Sequence, residues 1–207
     1  MHARINMLAG DPAMLGEATR YLEETVRPPV ESQRGNRGIA CLVNADLGTC
    51  VVASYWDSTD AMTLSEQAVQ VFRKEITELM RGSVTVEHYD VPVFARRSRP
   101  GRGAGVRLAR LECTPGHIDA FIDTFRNTAV PVLTDARGLA SAHLLTDRTS
   151  GRCIVITAWD DMAALAANRA ATAKQRADAV AAMHLEVRGV EEYTLVFSSV
   201  REDDTDR

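Results

Sequence analysis

Metal and nucleotide chemistry depend on a few side chains at fixed spacings, and this chain has the side chains without the spacings. Its cysteines, Cys41, Cys50, Cys113 and Cys153, fall inside strand-like runs with no Cys-x-x-Cys or Cys/His pattern suited to zinc. They read as small buried residues. His88 and His143 lie on strand-like runs and His117 at a helix start, none paired at metal-ligand spacing. The chain has no glycine-rich dinucleotide fingerprint and no P-loop. No metal and no cofactor is therefore expected. The residues that stand out are two tryptophans, Trp56 and Trp159, each closing a β-branched run and each followed at once by aspartate.

The elements that must position these tryptophans are duplicated. Residues 48–58, GTCVVASYWDS, recur as residues 151–161, GRCIVITAWDD. In each copy a glycine turn opens a strand that ends on Trp-Asp, where a helix begins. The same offset of 103 pairs Arg4 with Arg107, Leu8 with Leu111, Pro12 with Pro115, Pro28 with Pro131, Cys50 with Cys153 and Arg73 with Arg176. Cys50 and Cys153 need not be close in space for that, and a cytosolic chain rarely keeps structural disulfides. Only in the last strand does the offset become 104, where Val86-Glu87-His88-Tyr89 matches Val190-Glu191-Glu192-Tyr193. The chain is a tandem duplication.

In the first copy, residues 3–9 read as a strand, and Gly10-Asp11-Pro12 supplies a capping aspartate with proline at the first helical position. That helix is expected to stop near Val26, ahead of Pro28 and Pro29. Residues 38–44 and 50–56 form a predicted antiparallel hairpin. Met62, Ser65, Val69, Phe72, Ile76 and Leu79 then alternate spacings of three and four, which makes one buried helical stripe. Residues 83–95 are the last strand, with Pro92 placed at an edge or bulge. The same order repeats over residues 106–198. The expected domains are residues 1–95 and 104–199, joined by a polar linker over 96–103, with a charged, disordered tail over 200–207.

With 45% hydrophobic and 25% charged residues, the 207-residue chain can pack a core. Its 24 basic residues are spread along the chain and the net charge is -4, so it carries no phosphate-binding footprint and nucleic acid is not an expected partner. No run has a signal-type apolar core or approaches the ~18 apolar residues of a membrane span. The expectation is a cytoplasmic protein without a membrane partner.

A strand-helix-strand-strand-helix-strand unit is the ferredoxin-like plait, an antiparallel sheet with both helices on one face. Yet CVVASYW, CIVITAW and GIACLV are almost continuously apolar, as strands buried on both faces are. The other repeat is the natural cover for the second face. The expected fold class is therefore α+β: two tandem ferredoxin-like βαββαβ repeats packed sheet to sheet as a pseudo-dimeric α/β barrel. ARIN on the first strand, the Gly10-Asp11-Pro12 helix start, LGTCVVASYWDS and VEHYDV resemble the antibiotic biosynthesis monooxygenase domain of the dimeric α/β-barrel superfamily. The resemblance covers residues 1–95 and, more weakly, 106–198.

The resemblance implies a pocket between sheet and helices. There Asn6 would hydrogen-bond a substrate or developing oxyanion, and Trp56, expected beside it because the first and third strands are neighbours, would form the wall. Arg73 matches in place a family arginine that holds acidic or phenolic substrates, and Tyr89 could contribute a phenol. Core roles for Trp56 and Tyr89, a backbone-satisfied amide for Asn6 and a solvated Arg73 remain open alternatives. Ala109 replaces Asn6 in the second copy, so one working pocket is expected, in the first. Heme-degrading relatives carry a histidine nine or ten residues after the tryptophan, where this chain has Ser65 and Glu66, so heme degradation is not expected. The two readings are a cofactor-independent monooxygenase acting on an aromatic or quinol-type small molecule, and a non-catalytic barrel that binds a small hydrophobic ligand or serves assembly. A homodimer is compatible with both.

Overall fold

The computed structural model describes residues 1–183 and 185–202; the expected tail beyond residue 202 lies outside the described residues. The chain forms two compact units, one of Met1–Tyr89 together with the chain from Leu195 onward, the other of Asp90–Thr194. Each is a ferredoxin-like α+β unit.

In the first unit, β1 (His2–Ala9), β2 (Asn36–Asn44), β3 (Thr49–Trp56) and β4 (Ser83–Arg96, as far as Tyr89) follow the order β4-β1-β3-β2. The chain beyond the last strand adds itself along β2: Ser199 N–H donates to the Ile39 carbonyl at 3.0 Å and Arg201 N–H to that of Arg37 at 2.8 Å. Val200, at the start of the expected tail, is consequently buried. Gly38 makes this close approach possible. Its φ is +115°, and a Cβ there would lie 2.5 Å from the Ser199 carbonyl oxygen.

Alternation along the strands sends Leu8, Cys50, Val52 and Trp56 toward the helices, where they pack with Leu15, Leu22, Met62 and Ile76. The intervening Ile5, Val51, Ala53 and Tyr55 are also buried. Both faces of these strands are therefore withdrawn from water, as their unbroken apolar runs required.

Two helix expectations need correction. The first helix does not stop at Val26. After α1 (Leu15–Tyr21) the chain widens into a π-helical turn over Leu22–Val26 and continues as α2 (Arg27–Glu31), which contains Pro28 and Pro29. The prolines sit in the first turn of the resumed helix, where a missing N–H and a fixed φ cost little. The second repeat does the same, with a π turn over Phe125–Ala129 ahead of Pro131. The second helical stripe is likewise split at Ser65 into α3 (Thr59–Leu64) and α4 (Glu66–Leu79). Ser65 is buried, and its hydroxyl donates to the Met62 carbonyl at 2.7 Å.

The second unit contains β5 (Gly105–Glu112), α5 (Ile118–Thr124), α6 (Val130–Asp135), β6 (Leu139–Thr146), β7 (Arg152–Trp159), α7 (Met162–Ala167), α8 (Arg169–Met183) and β8 (Glu186–Ser198, as far as Thr194). Its strand order is β8-β5-β7-β6, with β4 from Asp90 onward beside β6. The β4–β6 register shifts between Asp90 and Val93, so Pro92 sits at a bulge, as expected.

Candidate functional site

An arginine on the first strand of each unit faces the helices, and each site is built around it. Arg4 is 1% exposed. Its Nη1 donates to Ser65 Oγ at 3.1 Å and its Nη2 to the Met62 carbonyl, so the break between α3 and α4 is where the chain receives a buried guanidinium. Nη2 also lies 3.1 Å from Glu66 Oε2, and the guanidinium stands over the Trp56 ring, 5.6 Å from its centroid.

Glu66 is the hub. Its second oxygen accepts from Arg73 Nη1 at 2.5 Å, two helical turns further along α4, while Arg73 Nη2 reaches Oε2 at 3.2 Å. Arg73 Nε in turn donates to Asn6 Oδ1 at 3.0 Å, and Asn6 Nδ2 donates to the Val52 carbonyl at 3.3 Å. The hydrogen bond from Arg73 holds the Glu66 carboxyl below the usual range against the opposing effect of burial; the charges of Arg4 and Arg73 add to the lowering. Burial depresses the Arg4 guanidinium, Glu66 partly restores it, and Arg73 lowers it again. Burial also lowers the His88 imidazole, helped by Arg4 and Arg73 and opposed by Glu66.

A cavity of ≈ 50 Å³ lies between sheet and helices within this unit. Asn6, Arg4 and Arg73 stand at its polar side, and Val52, Phe72 and Ile76 are among its apolar walls. The structure thus brings Asn6 and Arg73 together on one wall. It does not bring Trp56 there. Antiparallel pairing of β1 with β3 sets His2 opposite Trp56 and Asn6 opposite Val52, so the expected side-by-side placement of Asn6 and Trp56 is corrected by register. Trp56 is fully buried, with its indole N–H donating to Ser54 Oγ at 3.0 Å. Trp159 repeats this with Thr157 Oγ1 at 3.1 Å. Tyr89 is buried too, but Val84 of the same strand lines the cavity and Tyr89, five residues on, alternates to the opposite face.

The second unit has an equivalent and larger cavity of ≈ 90 Å³, lined by Arg107, Ala109, Phe121, Phe125, Thr172 and Arg176 among others. The charges are rearranged. The place of Glu66 is taken by Arg169 and that of His88 by Glu192. Glu192 Oε1 accepts from Arg107 Nη2 at 2.8 Å, and Oε2 from Arg169 Nη2 at 2.5 Å. The carboxylate that neutralises the buried strand arginine has moved from helix to strand.

The sequence marks Arg4 and Arg107 only as a repeated pair, and Glu66 only as standing where heme-degrading relatives carry a histidine. The available signal was an arginine at the same inward position of both apolar first strands, because a buried guanidinium requires a carboxylate nearby.

Pockets between a ferredoxin-like sheet and its helices, one in each of two tandem units, define the class. Residues 105–180, within the second repeat, match the family model "Antibiotic biosynthesis monooxygenase". The motifs that carry the resemblance lie mainly in the first repeat; the match falls on the other. An uncharacterized protein of Mycobacterium tuberculosis (strain ATCC 25618 / H37Rv) is 26% identical over 202 residues, covering 97% of this chain and 86% of its own. A candidate monooxygenase of Fusobacterium nucleatum subsp. nucleatum superposes with a TM-score of 0.70 at 16% identity, covering 97% of this chain and 94% of that one. An anthrone oxidase-like protein gives a TM-score of 0.69 at 16% identity, covering 95% and 92%. At these identities the two structures speak to fold. Among the described residues, no helix is long and apolar enough to cross a membrane.

Proposed function

We propose that the chain is a monooxygenase of the antibiotic-biosynthesis type that oxidises a single-ring aromatic or quinol-type molecule without a bound cofactor, in the cavity of the first unit. One observation carries this reading: the Asn6 amide and the Arg73 guanidinium, hydrogen-bonded at 3.0 Å, stand together on the wall of an otherwise apolar cavity. Arg73 orients the amide through its oxygen and leaves an Asn6 N–H to donate to a substrate oxygen. Such donors favour the ionised phenol or enol, whose electrons then reduce O2. The new C–O bond forms a hydroperoxide at carbon; loss of water leaves a carbonyl, so one oxygen atom enters product and the other leaves as water. Trp56 contributes indirectly, by holding the Arg4 guanidinium that shares Glu66 with Arg73. A cavity of ≈ 50 Å³ is smaller than the ~150 Å³ that takes benzene. Substrate entry therefore requires Val69, Phe72 and Arg73 on α4 to yield.

The test is oxygen consumption over a panel of single-ring quinols and phenols. Asn6→Ala should lower turnover ~10²-fold, while Trp159→Phe should leave it nearly intact and act on stability. A silent Asn6→Ala would sink this assignment. It would favour the second reading, a non-catalytic binding protein, which the larger cavity without an asparagine in the second unit supports. A cytoplasmic location and a homodimer complete the proposal.

A further inference from the structure

We propose that the cavity of the second unit is a binding site for a small apolar monocarboxylate, held by Arg176. The site is separate from the catalytic assignment above and does not depend on it.

In the first unit every polar group of the matching arginine, Arg73, is engaged by Glu66 and Asn6. In the second unit both neutralising groups are gone: Arg169 stands for Glu66 and Ala109 for Asn6. The relocated carboxylate is no substitute, because Glu192 divides its oxygens between Arg107 and Arg169. Arg107 is further satisfied by Thr172 Oγ1 and by the Leu165 carbonyl at 3.3 Å. Among the described residues Arg176 makes no hydrogen bond or ion pair, yet it is half-buried and lines the cavity. Burial depresses its guanidinium, and the neighbouring Arg107 charge adds to the effect. A guanidinium withdrawn from water without a counter-charge is costly, and a carboxylate meets its two-pronged donor geometry.

The rest of the cavity describes the ligand's body. Phe121, Phe125, Leu111, Leu133 and Val155 are apolar walls; the further polar groups of the lining, Thr124, Thr157, Thr172 and Gln175, are uncharged, and Arg107 is already engaged by Glu192. One free guanidinium facing such walls fits a monoanion better than a phosphate dianion. The volume of ≈ 90 Å³ suits a short branched acid, or one ring if the lining residues Gln175 and Ala179 give way.

Calorimetric titration of the full chain with isovalerate and benzoate, against isovaleramide and benzamide, tests this without oxygen or turnover. The acids should bind tighter than their amides by on the order of 10- to 100-fold. Arg176→Gln should erase that preference while leaving amide binding and thermal stability unchanged. Arg169→Glu, which restores a carboxylate where Glu66 stands in the first unit, should also weaken acid binding. Failure of both acids to bind at millimolar concentration, equal affinity for acid and amide, or a preference that survives Arg176→Gln would each overturn the assignment. Loss of turnover in Asn6→Ala has no bearing on these outcomes.

Discussion

Replacing Glu66 with glutamine keeps the shape of the hub and removes its charge, leaving Arg4 and Arg73 as two cations facing each other. Two limits bracket the cost. Removing one partner of a fully buried ion pair costs ~3–5 kcal/mol, whereas an exposed pair is worth ~0–1 kcal/mol. Here the Arg4 side chain is 2% exposed and that of Glu66 43%, so water screens the carboxylate end while the abandoned guanidinium stays buried. A loss of about 2 kcal/mol follows. For a chain of this size that is a fall in Tm of roughly 4–8 °C, readable by calorimetry. The pH dependence supplies a sharper check. Glu66 has a folded-state pKa below its unfolded value of about 4.3. The charge's contribution to stability is therefore complete well above that value and is lost as pH falls through the lower, folded value. The gap between wild type and Glu66→Gln should be constant near neutrality and close in acid. An unchanged Tm, or a gap that widens as pH falls, would refute the claim that Glu66 neutralises Arg4.

Burial pushes the His143 imidazole down to about 3, with the Arg96 charge adding to the effect, and its ring stacks on Phe94 at 3.9 Å. Because the unfolded histidine titrates near 6.5, folding stability should decline as pH drops below that value, and His143→Phe should flatten the decline in urea-melting midpoints between about pH 6.5 and 4; a C2 proton of His143 that titrates near 6.5 by NMR would contradict the assignment. A fragment of residues 1–100 loses the C-terminal segment that pairs with Ile39 and Arg37 on β2, leaving an open strand edge beside two apolar sheet faces. It should dimerise or aggregate on size exclusion, and a stable soluble monomer would count against burial of the second sheet face as the reason for keeping both repeats.

Much of the architecture was legible because it is written in local periodicity. The offset between the repeats, the two-sided apolar strands and the bulge at Pro92 each depend on residues close in sequence, and each is found in place; the stripe from Met62 to Leu79 keeps its buried face although its helix breaks at Ser65. The prolines at 28 and 29 mark where local rules ran out. By local rules proline stops a helix, but the preceding π turn lets this helix absorb it.

The residues of the proposed site are legible by type in the sequence, and their arrangement is not. Asn6 and Arg73 meet, but Trp56 and Tyr89 belong to the core, because strand register and face are settled only when the sheet pairs. The sequence by itself determined that the protein is a duplicated α+β chain with an arginine at matching positions of both first strands. Only the tertiary structure decided which carboxylate answers each arginine: Glu66, from the helix, for Arg4, and Glu192, from the strand, for Arg107. A buried charge fixes the need for a counter-ion nearby in space, and either of two elements packed against it can meet that need.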